Sequence, residues 1–98
     1  MSTLTVERLR ERRGDILRIA ATHGARNIRV FGSAARGEGG PESDLDLLVE
    51  MEKGRSLMDL VGLIQDLEDA LGHPVDVVTE PSLHWFIRER VLAEAVPL

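Results

Sequence analysis

A chain of 98 residues with a formal net charge of −5 and no cysteine fits one small domain and excludes several classes of protein. The lack of cysteine excludes disulfides and thiolate metal sites, and the acidic balance disfavours direct nucleic-acid binding, which normally uses a basic surface. The first residues lack an apolar signal core and no stretch is long enough to span a bilayer, so we expect a single cytoplasmic domain over residues 1–98 that does not bind membranes.

The first half of the chain predicts a helix followed by two strands. An apolar stripe runs through residues 5–22, with Thr5 able to cap the helix and Gly24 following its end. Ile28–Phe31 is short and rich in β-prone residues, which favours a first strand. Asp44–Met51 predicts the second strand, and an apolar residue on the same face as its two aspartates indicates that both faces are covered.

The second half predicts a helix, a strand and a last helix. Ser56–Leu71 carries a leucine-rich stripe that starts with a capping-box pattern at Ser56 and ends before Gly72. Pro74–Thr79 favours a third strand, and residues 82–95 favour a closing helix. The order α-β-β-α-β-α predicts an α/β (α+β) fold, in which helices flank a small mixed sheet of three to four strands.

The most informative pattern is Gly32-Ser33, ten residues, then Asp44 and Asp46. Two aspartates at alternate strand positions repel each other unless a cation lies between them, and Mg²⁺ prefers such hard oxygen ligands. Paired exposed acids are also common on ordinary surfaces, so these two residues alone do not settle the question.

The residues before the aspartates could bind phosphate. Gly32 permits close approach of a ligand to the backbone, and Ser33 can cap a short helix at 33–36 whose free N–H groups would face phosphate oxygens. Arg36 adds a positive charge nearby. The alternative is an ordinary strand-to-helix turn.

Asp76 is a third candidate, because a lone carboxylate in an apolar strand is costly to bury. A neighbouring strand could bring it beside the other two aspartates, where it could bind metal or accept a proton from an attacking hydroxyl. The alternative is an aspartate on an edge strand that faces water.

Other conspicuous residues suggest structural roles. Trp85 and Phe86 are expected to pack in the core rather than to form a partner-binding patch, and the three histidines have no metal-ligand spacing. The apolar tail at 96–98 is too short to fold alone and could dock on the sheet or on a partner.

The pattern Gly32-Ser33-x10-Asp44-x-Asp46, with Ser43 inside it, resembles the minimal nucleotidyltransferases of the DNA polymerase beta-like superfamily. In particular, it resembles MntA-type antitoxins, which pair with HepT toxins of the HEPN ribonuclease class. The resemblance covers nearly the whole chain and implies a polymerase beta-like nucleotidyltransferase fold.

The resemblance also implies the site residues. Those implied to bind the nucleotide are Gly32, Ser33, Arg36 and Ser43, and those implied to hold Mg²⁺ and to carry catalysis are Asp44, Asp46 and Asp76. In the family, the enzyme is thought to transfer AMP from ATP onto a tyrosine of the HEPN toxin, which silences the RNase.

This resemblance implies a type VII-like antitoxin of the prokaryotic cytoplasm that forms a hetero-oligomer with its toxin. The chain contains no tyrosine, so a tyrosine acceptor has to come from another protein. Two alternatives stay open: an antitoxin that inhibits its toxin by binding without catalysis, and transfer to a small hydroxylated molecule such as an aminoglycoside. The second is disfavoured because the chain lacks the helical domain that antibiotic-modifying relatives add.

Overall fold

A four-stranded mixed sheet forms the centre of the computed structural model, which describes residues 4–40 and 42–98. The strands are β1 (Ala25–Phe31), β2 (Leu45–Met51), β3 (Val75–Thr79) and β4 (Val96–Pro97). The helices are α1 (Val6–Glu11), α2 (Arg13–Thr22), α3 (Gly32–Ala35), α4 (Leu57–Leu71) and α5 (Trp85–Glu94), and a 3₁₀ turn covers Glu80–Ser82. The predicted fold class is therefore confirmed. The expectation that the first residues lack a signal segment falls partly on residues 1–3, which lie outside the described ranges.

The strand order β3-β2-β1-β4 determines which chain segments meet. β1 is antiparallel to β2 and to β4, whereas β2 and β3 are parallel and are joined by the crossover helix α4. The end of β1 therefore lies beside the start of β2, and the start of β2 lies beside the start of β3. Three chain segments thus reach the same edge of the sheet.

The strand β2 is covered on both faces, as the sequence predicts. Leu45, Leu47 and Val49 point into the main core, which α1, α2 and α4 help to form. Leu48 points to the opposite face and packs with Leu83, just before α5, and with Val91, within α5. This alternation leaves Asp46 of β2 on the α5 side of the sheet.

The helix α4 has the termini that its sequence predicts. Ser56 and Asp59 form a reciprocal capping box at the start, and the Ser56 N–H donates to the Asp59 carboxylate over 2.9 Å. Gly72 ends the helix in the left-handed conformation with φ of +62°. Leu63 and Leu67 on the apolar stripe are fully buried against the sheet.

The single helix predicted over residues 5–22 is wrong, because the structure has two helices separated at Arg12. Thr5 caps α1 as expected, accepting the Arg8 N–H over 3.2 Å. Arg12 departs from helical geometry with φ of −106° and ψ of 17°, and its guanidinium donates to the Ala70 carbonyl over 2.6 Å. This long-range hydrogen bond offsets the free-energy cost of interrupting the helix.

The first strand begins earlier than predicted, at Ala25 instead of Ile28. Asn27 has a positive φ of +52°, and the pairing of β1 with β2 shifts between Arg26 and Arg29. A bulge of this kind inserts one extra residue and breaks the apolar alternation, which is why the pattern ended too soon.

The last helix is shorter than the predicted 82–95, since α5 begins only at Trp85. Leu83 adopts an extended conformation and is buried. The next residue, His84, caps the helix by accepting the Phe86 N–H at its Nδ1 over 3.1 Å. A buried apolar residue in extended backbone is not distinguishable from a helical one by periodicity alone.

The apolar tail docks on the sheet, which is one of its two expected fates. Val96 and Pro97 form β4 and pair with β1, and the Leu98 N–H donates to the Ile28 carbonyl over 3.0 Å. Leu98 is only 8% exposed. This short strand completes the sheet on the side of β1 opposite β2.

Core packing of Trp85 and Phe86 is a wrong prediction, because their side chains are 75% and 74% exposed. α5 instead uses Val91 and Leu92 to contact the sheet. On the surface, the rings of His84 and Trp85 stack at 5.5 Å, and those of Trp85 and Phe86 meet edge to face at 5.7 Å. Within the described residues, no helix is long and apolar enough to cross a membrane.

Candidate active site

Two predicted site aspartates lie side by side where β2 and β3 begin. Phe31 at the end of β1 pairs with Asp46 of β2, and Asp46 pairs in turn with Asp76 of β3. Both aspartates lie on the face that carries Leu48, away from the main core. Asp76 is also exposed and lies on the edge strand. It therefore lies beside Asp46 and also faces water, so the structure agrees with both alternatives considered from the sequence. Its role in metal binding or proton transfer stays a prediction.

Asp44 lies one residue before β2, although the predicted strand begins at Asp44. It is exposed, and its charge is close enough to affect Asp46. The structure therefore places all three carboxylates near the same edge of the sheet.

The electrostatics of the site centre on Asp46. Burial raises the pKa of Asp46 above its ordinary value, and the negative charges of Asp76 and Asp44 raise it further. Glu94 acts in the same direction, whereas the positive charge of Arg36 lowers the pKa of Asp46. A cation beside Asp46 would relieve this repulsion.

The turn after β1 requires glycine at position 32. Gly32 has φ of +73°, a conformation that L side chains rarely adopt. A Cβ atom at this position would lie 2.2 Å from Oδ2 of Asp46. The backbone thus passes directly against the Asp46 carboxylate. The close approach of a ligand to this glycine stays a prediction.

Capping of a short helix by Ser33 is a wrong prediction. The helix α3 begins one residue earlier, at Gly32, with Phe31 in the N-cap position and no side-chain capping hydrogen bond. The positive φ of Gly32 turns the chain so that the helix starts directly after β1. Ser33 is half-buried, its carbonyl accepts the Glu38 N–H over 2.8 Å, and its part in nucleotide binding stays a prediction.

Glu94 at the end of α5 is a site residue that the sequence analysis missed. One of its carboxylate oxygens accepts the Gly32 N–H over 2.7 Å, and the other accepts Nη1 of Arg36 over 2.8 Å. Burial favours a higher pKa for Glu94, but the bonds from Arg36 and Gly32 outweigh it and hold that pKa below its ordinary value. The only sequence signal is an acidic residue at a helix C-terminus, where the helix dipole disfavours negative charge.

Arg36 follows α3 as its C-cap residue and is held by two carboxylates. Nη1 contacts Glu94, and Nε contacts Glu38 over 3.2 Å. The hydrogen bond from Glu94, followed by that from Glu38, raises the pKa of Arg36 above its ordinary value. Arg36 is therefore a fixed positive charge beside the Gly32 turn.

Ser43 shapes the loop that leads into Asp44. Its hydroxyl accepts the Gly40 N–H over 3.3 Å, and its carbonyl accepts a hydrogen bond from Nε2 of His73 over 2.5 Å. Ser33, Ser43 and His73 line one small depression. The structure thus brings Ser43 close to the Gly32-Ser33 turn, although they are ten residues apart.

The carboxylates suit a hard divalent cation in their chemistry, since all their donors are oxygen. Across residues 4–40 and 42–98, no three Asp, Glu, His or Cys side chains already converge as a metal-binding group. Asp46 and Asp76 are aligned in register and repel each other. Because both side chains lie on one face of the sheet, a cation could bind between them by drawing the two carboxylates closer together.

A larger groove lies elsewhere in the described part of the chain. It is open, has a volume of about 590 Å³ and occupies the far ends of β2 and β3, where Glu50, Thr79 and Arg88 line it. Glu50 lies four positions after Asp46 in β2, a distance of about 13 Å along a strand. Its size reflects the uncovered strand ends, and the candidate site is the shallower edge described above.

Comparison with known proteins agrees with this geometry. Residues 7–98 match the model of the nucleotidyltransferase domain family. A protein of Methanocaldococcus jannaschii assigned as a protein adenylyltransferase is 47% identical over 81 residues, covering 83% of this chain and 87% of the relative. The protein adenylyltransferase MntA of Thermococcus cleftensis is 45% identical over 73 residues, or 74% of each chain.

Solved structures share the fold. A chain assigned as a minimal nucleotidyltransferase superposes with a TM-score of 0.86 at 51% identity and covers the whole of both chains. The MNT antitoxin in complex with the tri-AMPylated HEPN toxin of Shewanella oneidensis gives a TM-score of 0.67 at 20% identity, covering 90% of this chain and 69% of that one. The second likeness shows the fold alone, and the resemblance to minimal nucleotidyltransferases stated from the sequence is confirmed.

Proposed function

Because the chain belongs to the nucleotidyltransferase domain family, we propose that it is a Mg²⁺-dependent protein adenylyltransferase acting as an antitoxin. In this proposal, residues 1–98 form one minimal nucleotidyltransferase domain. The domain transfers AMP from ATP to a tyrosine of a HEPN-type RNase toxin and so neutralises it. The names of two relatives that are 47% and 45% identical support protein adenylylation as the reaction.

The observation that carries the proposal is the convergence at one sheet edge. The Gly32 backbone lies against the Asp46 carboxylate, and Asp46 pairs in register with Asp76 of the neighbouring strand, so that three separate segments meet at this edge. A strand-to-helix turn needed for packing alone would not require a glycine pressed against a carboxylate whose pKa is raised. Strain and unfavourable charge concentrated at one point are typical of functional sites.

The triphosphate of ATP would lie against the turn after β1. Gly32 and Ser33 would offer backbone and hydroxyl donors there, and Ser43 lines the same small depression as Ser33. Arg36, which donates to Glu94 and Glu38 in this structure, would supply a charge-assisted hydrogen bond to a phosphate oxygen.

Asp44, Asp46 and Asp76 would hold the Mg²⁺. The bound metal would neutralise charge on the phosphates and on the carboxylates during the displacement. The raised pKa of Asp46 supports this assignment, because a carboxylate surrounded by like charges gains most from a cation.

In the transfer itself, the tyrosyl oxygen of the partner forms a bond to the α-phosphorus while the bond to pyrophosphate breaks. The tyrosyl proton passes to a carboxylate of the site, and exposed Asp76 on the edge strand is the residue best placed to meet an incoming protein. The chain has no tyrosine of its own, which is consistent with an acceptor that arrives on a partner.

Mass spectrometry of a candidate HEPN partner tests this proposal. The partner is incubated with the chain, ATP and Mg²⁺, and we expect it to gain the mass of one or more AMP units and to lose RNase activity. Asp46→Asn should abolish the gain, and a Tyr→Phe change at the modified position of the partner should remove the acceptor.

Two outcomes would count against it. An unmodified cognate partner under these conditions would contradict adenylylation. Full protection by Asp46→Asn at equal stoichiometry would instead indicate an antitoxin that acts by binding alone.

A further inference from the structure

The carboxylate of Glu94 occupies the donors that the proposed nucleotide site would offer to phosphate. Its two oxygens bind the Gly32 N–H at 2.7 Å and Nη1 of Arg36 at 2.8 Å. The side chain is only 22% exposed, so it is held in this position instead of extending into solvent. An anion of the chain itself therefore lies where the anionic end of the nucleotide is expected.

Local structure does not account for Glu94 at this position. It is the last residue of α5, where the helix dipole disfavours a negative charge. The bonds from Gly32 and Arg36 are the contacts that offset this cost. A residue that conflicts with its own helix and binds a distant turn indicates a role at that turn.

Glu38 provides an internal comparison. Its carboxylate also pairs with Arg36, at Nε over 3.2 Å, but its side chain is 66% exposed. Glu94 differs because it engages the Gly32 backbone as well as the arginine. The two residues carry the same charge beside the same arginine, but only Glu94 accepts hydrogen bonds from both Arg36 and the Gly32 N–H.

We propose that Glu94 substitutes for the nucleotide's phosphates while the site is empty and competes with them for the Gly32 N–H and Arg36. This inference rests on the proposed nucleotidyltransferase function and adds a regulatory contact to its site. Triphosphate and carboxylate are both oxyanions that accept charge-assisted hydrogen bonds, so they exclude each other from one donor. The apparent affinity for nucleotide is then reduced by the fraction of time for which Glu94 holds the donors.

Competition of this kind has a use after the reaction. Pyrophosphate leaves the same donors, and a carboxylate ready to replace it shortens its residence. Glu94 would thus weaken binding of substrate and product alike, while keeping the Gly32 turn and Arg36 in position between turnovers.

Calorimetric titration tests the proposal with an ATP analogue whose α and β phosphorus atoms are joined by a methylene group, so that the bond broken in AMP transfer is inert. We expect Glu94→Gln to bind the analogue about fivefold more tightly than the wild type in the presence of Mg²⁺. Glu38→Gln removes one negative charge from the same arginine and should stay within about twofold of the wild type.

A second variant separates competition from net charge. Glu94→Asp keeps the charge but shortens the side chain by one methylene, so that it no longer spans both donors, and we expect it to bind the analogue more tightly too. It also serves if Glu94→Gln fails to fold.

The outcomes are distinct. Unchanged or weaker binding by the Glu94 variants, with a wild type that binds, overturns the competition and leaves the proposed function standing. A wild type and variants that all fail to bind the analogue contradict the proposed function itself.

Discussion

At the level of single side chains, negative charge dominates the site. Asp46 pairs with Asp76 of the adjacent strand, and Asp44 lies just before β2. Glu94 at the end of α5 adds a further negative charge, and Arg36 carries the nearby positive charge. Like charges held together oppose folding in the absence of a cation. The charges of the candidate site therefore cost the fold some stability.

Asp46→Asn should stabilise the metal-free protein. Because the pKa of Asp46 is raised in the fold above its unfolded value of 3.8, the native state holds this proton more tightly than the unfolded chain does. The ionised form therefore destabilises the fold, and this penalty is absent below the unfolded pKa and grows as the pH rises through the folded pKa. We expect the variant to melt at a higher temperature than the wild type at about pH 7, with a difference that shrinks toward about pH 4.

Thermal unfolding in the presence of a chelator measures this difference. Glu42→Gln removes a charge from an exposed loop position and should leave the melting temperature nearly unchanged. A lower melting temperature for Asp46→Asn at neutral pH would show that the charge repulsion does not destabilise the fold.

Gly32→Ala should damage both stability and transfer. The new Cβ combines a positive φ with a position 2.2 Å from Oδ2 of Asp46, which has to move. We expect the free energy of unfolding to fall by about 1–2 kcal/mol, together with a loss of AMP transfer, because the displaced carboxylate is a proposed metal ligand.

Gly14→Ala is the matched control for this change. Gly14 lies in α2, where a Cβ atom would meet nothing within 4 Å, and the substitution should raise the free energy of unfolding by about 0.5–1 kcal/mol. Wild-type transfer and stability in Gly32→Ala, measured by partner modification and denaturant unfolding, would be incompatible with the close approach described for this turn.

At the scale of helices and strands, the closing segment holds the site together. α5 carries Glu94 at its end, and two residues later β4 pairs with β1, the strand that leads into Gly32. The position of Glu94 against the turn therefore depends on the docking of the tail. The tail is part of the architecture of the site although it holds no predicted site residue.

Leu98→Ala should weaken this docking. The side chain is 8% exposed and belongs to the main core, so its truncation should lower the free energy of unfolding by about 2 kcal/mol. Pro97→Ala changes the exposed neighbour and should stay within about 0.5 kcal/mol of the wild type. Equal stabilities of the two variants in urea titrations would contradict the docked tail.

The elements that the sequence predicts well are those whose local signals agree. The start of α4 combines a capping box with a leucine stripe, and a left-handed glycine ends it. The errors occur where a tertiary contact overrides the pattern: Arg12 interrupts a helix to reach Ala70, and Asn27 adds a bulge to β1. The error at Trp85 has a different origin. Its residue type suggests burial, but at the start of α5 the side chain is exposed.

The site itself is partly predictable for the same reason. Gly32 and Asp46 belong to one short sequence pattern, so their proximity follows from two adjacent strands. Asp76 requires the parallel crossover through α4, which the helix and strand signals suggest. Glu94 accepts a hydrogen bond from Gly32, 62 residues away in the chain, and no local pattern predicts such a pair.

At the scale of the whole molecule, the candidate site lies open at one edge of the sheet. The carboxylates lie where the strands begin, and exposed Asp76 is on the outermost strand. An acceptor protein can approach this edge without rearrangement of the sheet. The absence of tyrosine from the chain fits a division in which the domain supplies nucleotide chemistry and the partner supplies the acceptor.

Label transfer from ATP tests this account most directly. The chain is incubated with a candidate HEPN partner, Mg²⁺ and ATP that carries radioactive phosphorus at either the α or the γ position. Nucleotidyl transfer predicts that the partner retains label from the α position and none from the γ position, and that Asp46→Asn removes it. Retention of γ label would indicate phosphoryl transfer, and an unlabelled cognate partner would contradict the proposed activity.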